Sequence, residues 1–255
     1  MVASKERSQL EAQAFRADRF CRSYLRRPAT AGALTSGIAS GIIGGRAFTK
    51  DERTISELSL PAPSVIGSMS LEEALSLRKS IRDYSKDPVT VSQLGQIRWA
   101  AQGITHAPFR SAPSAGALYP LEIYAVVKEG GVSQLQSGIY HYENADNILT
   151  VVRSGDHAQE LQSATLEQDV IGRAAVNIVM TAVFERTTTR YGRRGIQYVF
   201  QESGHAAQNI CLQATALGLG SVVIGAFDDS SVSQVIGVGA NERPVYIQPI
   251  GVPVA

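Results

Sequence analysis

The chain has 255 residues, 44% of them hydrophobic and 18% charged, with a formal net charge of +1. That balance is ordinary for a globular protein and excludes the strong positive field that nucleic acid or an acidic membrane surface would require. The two cysteines, Cys21 and Cys211, stand far apart without a CxxC pair or a histidine at ligand spacing, so neither a disulfide framework nor a metal site is expected.

Residues 1–27 are polar and basic and end in "RSYLRRP"; the following "ATAGALTSGIASGIIGG" is too short and too glycine-rich for a stable membrane insertion. A basic section, paired arginines and a mildly apolar stretch are the parts of a twin-arginine export signal, although Pro28 directly follows Arg27. The expectation is an N-terminal extension over 1–55 and a cytoplasmic protein, with export as the alternative. "LPAPSVIGS" links it to a folded body over 56–255.

In that body, Ser70-Leu71-Glu72-Glu73 is a capping box opening a helix through "LEEALSLRKS", and Thr90-Val91-Ser92-Gln93 opens a second that ends at Gly103. "LEIYAVVKE" reads as a buried strand, and "GIYHYENADNILTVV" as a hairpin turning at Asn144–Asn147. A helix over "DHAQELQSATL" precedes "AAVNIVMTAVF", an apolar run of central-strand type. "GIQYVFQESGHAAQNICLQATALGLG" is the longest helix, ended by Gly218 or Gly220, with Cys211 in its core pattern; "SVVIGAF" and "PVYIQPIGV" are predicted as two further strands. Helices and strands mix without strict alternation, which predicts an α+β fold. On the long helix Gln201, Glu202, His205, Gln208 and Asn209 form a polar stripe on an otherwise apolar segment, leaving little face for water and suggesting a dimer core.

The heptapeptide "RKSIRDY" concentrates Arg78, Lys79 and Arg82 around Ser80 at the expected end of the first helix. Cations so close repel one another unless an anion lies between them, although a solvated basic turn at a helix C-terminus has the same composition. Three more stretches bear on the choice. "RSAPSAGALYP" has small residues from Pro113 to Ala117, "VVIGAF" runs a strand into Gly225 and Ala226, and "RTTTRYGRRG" reads as a basic loop.

Taken in order, "RKSIRDY", "WAAQGIT", "RSAPSAGALYPLEIY", "GIYHY", "RYGRRGIQYVFQESGHAAQN", "ALGLGSVVIGAFDD" and "PVYIQPIG" resemble the flavin-dependent nitroreductase superfamily, and within it the SagB-type (McbC-like) dehydrogenases. The resemblance spans residues 56–252. It implies a central, mostly antiparallel sheet flanked by helices, in an interlocked homodimer with FMN at the subunit interface. By that resemblance Arg78, Lys79, Ser80 and Arg82 fall on the opening flavin-binding motif, and charge-assisted bonds to a phosphate suit them. Pro113, Ser114, Ala115 and Gly116 fall on the loop that meets the partner's flavin, and Ile224, Gly225 and Ala226 on the strand end facing the ring near its reactive N5. Arg190 and Tyr191 align with a lysine–tyrosine pair that SagB-type azoline oxidases use in catalysis. Arginine in place of lysine removes a base, because a guanidinium does not release its proton; Tyr191 retains a proton it can donate.

The resulting expectation is an FMN-dependent oxidoreductase moving hydride through flavin N5, with NADH or NADPH as a donor that stacks in the flavin pocket, since no GxGxxG motif occurs. Its substrate is a small molecule or a peptide. One alternative is azoline-to-azole dehydrogenation on a ribosomally made peptide. The other is a non-catalytic flavin-binding or interaction protein whose basic loops meet an acidic partner.

Overall fold

A computed structural model describes residues 57–254. The extension, its export-signal alternative and Cys21 lie outside the described residues.

Seven strands form one sheet: β1 (Glu57–Ser59), β2 (Leu121–Val127), β3 (Gly138–Glu143), β4 (Ile148–Ser154), β5 (Val176–Ala182), β6 (Gly220–Ser221) and β7 (Arg243–Gly251). They lie in the order β1-β4-β3-β2-β5-β7-β6, and each pair of neighbouring strands is antiparallel. The β3–β4 hairpin turns at Asn144–Asn147 as expected, with Asn147 in the left-handed region at φ 53°. The apolar run of β5 is buried at every residue, between β2 and β7.

Alternation along the strands sends side chains to two faces, and each face has its own helices. Ile123, Ala125, Ile178 and Met180 pack with Leu94 and Ile97 of α2 (Val91–Gln102) and with Val199, Ala206 and Ile210 of α6 (Arg194–Ala216). Tyr124, Val126 and Val179 point the other way. They meet Leu161 of α3 (Ala158–Ala164), Ile171 of α4 (Asp169–Arg173) and Val232 and Ile236 of α7 (Asp229–Ile236). The α+β architecture, a sheet between two helical layers, is therefore as expected.

Helices begin where a side chain can take up their free N–H groups. Glu73 N–H donates to Ser70 Oγ (3.1 Å) at the start of α1 (Leu71–Leu77). At α2 the box is reciprocal: Gln93 N–H donates to Thr90 Oγ1 (3.1 Å), and Thr90 N–H to Gln93 Oε1 (2.9 Å). The long helix ends in a Schellman motif at Gly218 (φ 70°), with Leu219 N–H donating to the Ala214 carbonyl (2.8 Å) and Gly218 N–H to that of Thr215 (3.1 Å). Cys211 is buried in the core, as expected.

Four expectations need correction. First, α1 stops at Leu77, and Arg78 is already extended at φ −55°, ψ 122°, so the basic residues lie beyond the helix rather than on its last turn. Second, "SVVIGAF" is not a continuous strand. After Gly220–Ser221 the chain leaves the ladder and returns only at Ile224, which exchanges two hydrogen bonds with Ile247 (2.8 and 3.0 Å). Third, "RTTTRYGRRG" is mostly helical: α5 spans Glu185–Tyr191 and ends at Gly192, whose φ of 56° suits glycine. Fourth, α6 is not buried nearly all round. Ile196, Phe200, Gln201, His205 and Gln208 are exposed in the single chain, whereas Glu202 of the polar stripe is buried.

Candidate functional site

The segment after α1 lies against the end of the sheet. Ile81 N–H donates to the Ser221 carbonyl (2.9 Å), Ser80 bridges Ser221, and Tyr84 donates its hydroxyl to the carbonyl of Ile81 (2.8 Å). A Cβ on Gly220 would lie 2.7 Å from Ile81 Cγ2, and one on Gly251 2.7 Å from Tyr84 Cγ, so two glycines admit this segment to the sheet edge.

Its cations are left over. Among the described residues Arg78, Lys79 and Arg82 form no ion pair, while the neighbouring Asp83 is taken by Arg173 (3.0 Å). On the same edge, Gly225 and Ala226 are exposed, and no described residue accepts their backbone N–H groups; the Ala226 carbonyl is held by Gln168 Nε2 (2.8 Å). Arg78, Lys79, Ser80 and Arg82 thus lie about the Ser221 end of the edge, whereas Ile224, Gly225 and Ala226 lie further along it, against Tyr246 and Ile247 of β7. The three cations without ion-pair partners make an anion-accepting segment, which fits the phosphate of a cofactor, and the free N–H groups are a separate set of donors on the same edge.

Pro113–Gly116 and Arg190–Tyr191 form a second group. The loop turns through a 3-10 segment, Ala115–Ala117, with Gly116 at φ 65°, and Gly116 faces Arg190 and Tyr191 so closely that a Cβ there would be 2.9 Å from Arg190 Nη1. The Tyr191 ring meets Tyr198 edge to face (5.2 Å between centroids), with Arg190 over Tyr191 and Arg194 over Tyr198. Arg186 fastens α5 to β2: it pairs with Glu122 and donates to the Tyr119 carbonyl (3.1 Å). Burial pushes the Glu122 carboxyl up, but His141 and Arg186 outweigh it and hold the group below its usual range.

The two groups flank opposite ends of α6, whose 23 residues span about 35 Å. Ser221 follows its C-terminus, whereas Tyr191 precedes its N-terminus. Within one chain the basic edge and the contact of Gly116 with Tyr191 therefore lie toward opposite ends of α6. A cleft of about 640 Å³ opens between residues 61–71, α2 and the second half of α6. Near it Val65, Ile66, Leu71, Leu75 and Leu77 are exposed.

Sequence reasoning missed the role of Glu202, placing it only in a polar stripe. It is 2% exposed, accepts a hydrogen bond from Gln102 Nε2 (3.4 Å) and lies against Ser114. Burial raises its carboxyl to about 7, against the lowering effect of Ser114, Gln102 and the Arg110 charge. The one available signal was a carboxylate on an apolar helix near a small-residue loop.

The nitroreductase family model matches residues 75–252, most of the described chain. The chain belongs to the nitroreductase family. A Methanocaldococcus jannaschii protein carrying a nitroreductase name, MJ1384, is 39% identical over 76% of this chain and 96% of its own length. The microcin B17-processing protein McbC of Escherichia coli is a more distant relative, 27% identical over 56% of this chain and 54% of its own. A Ralstonia eutropha crystal structure described as a nitroreductase superposes with a TM-score of 0.69 at 26% identity. That match covers 87% of this chain and all of the other. Membership of the nitroreductase family makes this chain an oxidoreductase.

Proposed function

We propose that this protein is an FMN-dependent oxidoreductase that works as a homodimer. The observation carrying the proposal is the run of Arg78, Lys79 and Arg82, unpaired among the described residues, on the segment that joins the sheet edge at Ser221, with the free N–H groups of Gly225 and Ala226 further along that edge. Arg78 and Arg82 grip the FMN phosphate, helped by Lys79 and the Ser80 hydroxyl, because a phosphate takes charge-assisted bonds from several donors. Ile224, Gly225 and Ala226 present backbone to the edge of the ring. When bound, FMN would supply a two-electron carrier that takes hydride from a donor and passes it to an acceptor.

The second copy supplies the Pro113–Gly116 loop. The separation of the basic edge from the Gly116–Tyr191 contact along α6 supports this, as do the exposed apolar side chains Leu71, Leu75 and Leu77 on one part of the chain and Ile196 and Phe200 on another. Tyr191 stands at the substrate side, where its phenol holds a proton for the acceptor. Arg190, fixed in charge, attracts anionic groups of donor or acceptor.

NADH or NADPH is the donor and a small nitro or quinone-like compound the acceptor. Similarity to McbC favours a second reading, azoline dehydrogenation on a ribosomally made peptide, against which stands Arg190 in the lysine position. Anaerobic titration of the purified, FMN-loaded protein separates the two. The first reading expects the yellow absorbance to bleach with NADH or NADPH. Persistent colour with both, but bleaching by an azoline peptide, assigns the second. A protein that takes up no FMN at all rejects both.

A further inference from the structure

Five residues form a ring beneath the Pro113–Gly116 loop, joined by four hydrogen bonds. Gln102 of α2 donates Nε2–H to Glu202 Oε1 (3.4 Å) and accepts Arg110 Nη1–H at its own Oε1 (3.0 Å). Arg110 N–H donates to the Tyr119 hydroxyl (3.1 Å), and its guanidinium stacks over the Tyr119 ring (4.4 Å). Tyr119 N–H donates to Ser114 Oγ (2.9 Å), and Ser114 lies against the Glu202 carboxyl, whose charged form it favours. The ring thereby joins both ends of the loop to α2 and α6.

What the ring holds is strained. Gly116, Ala117 and Tyr119 have φ of 65°, 54° and 45°, a region that residues with side chains rarely enter. Such a backbone persists only where its surroundings over-determine it, and it gathers at ligand clamps. Gln102 and Glu202 are out of water, so each bond they make acts in a low dielectric.

We propose that Glu202 is the positioning residue of this site, a buried carboxyl that braces the 113–119 loop in the one conformation that meets the cofactor and the Arg190–Tyr191 pair. The cofactor half of that statement rests on the flavin reading above; the brace does not. Ser114 and Gln102 do not fully offset the burial of charge on Glu202. Arg110 is the charged group that faces it, with the Glu122–Arg186 pair behind Arg110; Ser114 and Gln102 do not titrate. Ser114 and Arg110 by themselves favour the charged carboxyl, so closure of the loop favours the neutral form through the water it keeps from Glu202. The loop is held tightest at low pH and loosens as pH rises toward and through about 7.

Hydrogen exchange of peptides covering 110–119, read by mass spectrometry on ligand-free protein and corrected for intrinsic rates, tests the brace. Native protein should lose up to about tenfold of its protection per pH unit between about pH 6 and about pH 7, the limit for one coupled proton. Glu202→Gln, neutral at every pH, should keep the protection and lose its pH dependence; Glu202→Ala should lose the protection throughout. A pH dependence that survives in Glu202→Gln overturns the proposal, as does a native-like loop in Glu202→Ala. If Glu202→Ala does not fold, the Glu202→Gln comparison decides alone. FMN titration by fluorescence quenching then tests the link to the cofactor. Native affinity should weaken with rising pH while that of Glu202→Gln stays level. Equal pH profiles overturn the link, and a native protein that binds no FMN but shows the exchange pattern overturns the flavin reading while the brace stands.

Discussion

Gly116 and Tyr191 touch: a Cβ built on Gly116 would lie 2.7 Å from the Tyr191 hydroxyl oxygen, in a residue whose φ is 65°. Two constraints therefore select glycine here, the left-handed backbone and the volume of the phenol. Gly116→Ala should lower stability by about 1–2 kcal/mol, the cost of that backbone region with a side chain. Its larger effect should fall on turnover, because the phenol and the Arg190 guanidinium must move aside. Thermal unfolding and steady-state kinetics together check this: a small fall in Tm with a large loss of kcat is expected, and unchanged kcat would separate Tyr191 from the reaction.

Arg78→Ala combined with Arg82→Ala should give colourless protein. Each charge-assisted bond lost is worth about 1.5–3 kcal/mol, so FMN binding should weaken by roughly a hundredfold or more. Without FMN the double variant should melt with the native protein, because neither arginine has an ion-pair partner among the described residues to lose. Added FMN should raise the native Tm alone. Equal flavin content in the two proteins would remove these arginines from the site.

Glu202 also makes a global prediction about pH. Its folded carboxyl titrates near 7 against an ordinary 4.5, so the folded state binds its proton more tightly than the unfolded chain. The contribution is fully present below about 4.5 and lost as pH rises through about 7, a change of about 3 kcal/mol for a group this buried. Urea unfolding across that range should show the decline in native protein and a flatter profile in Glu202→Gln.

Arg98 is a fully buried cation in α2. Its Nη1 donates to the Ile123 carbonyl (3.3 Å), while Nε and Nη2 have no partner among the described residues, and burial pulls its guanidinium down to about 9. The face of Tyr142, 5.6 Å away, is the other compensation. Arg98→Met, of similar length and without the desolvation penalty, should leave stability unchanged or raise it by about 1–4 kcal/mol. A loss of more than about 2 kcal/mol by thermal unfolding would give the guanidinium a structural role beyond these two contacts.

Much of the fold was legible because it rests on neighbours in the chain. The Ser70 and Thr90 caps, the Asn144–Asn147 turn and the Gly218 stop each follow from a few adjacent residues, and the predominantly apolar run of β5 announces a strand covered on both faces. Where local preference and packing disagreed, packing prevailed. The threonine run of "RTTTRYGRRG" has weak helix propensity, yet it folds as α5 under the Arg186 pairing to Glu122 and the burial of Thr187. "SVVIGAF" has strand-forming residues throughout, but at the sheet edge its ladder is interrupted after Ser221.

From its order of residues alone the protein determined most of its elements, its two-faced sheet and the chemistry of its basic edge: caps, alternation and charge are properties of short stretches. The tertiary structure alone decided that Arg78 and Arg82 would stand without ion-pair partners among the described residues on the segment beside Ser221, and that Gly116 would close on Tyr191. It also decided that Glu202 would lie under Ser114 and Gln102. Those relationships join residues far apart in the chain, and they exist only once burial removes the water that would otherwise satisfy each group separately.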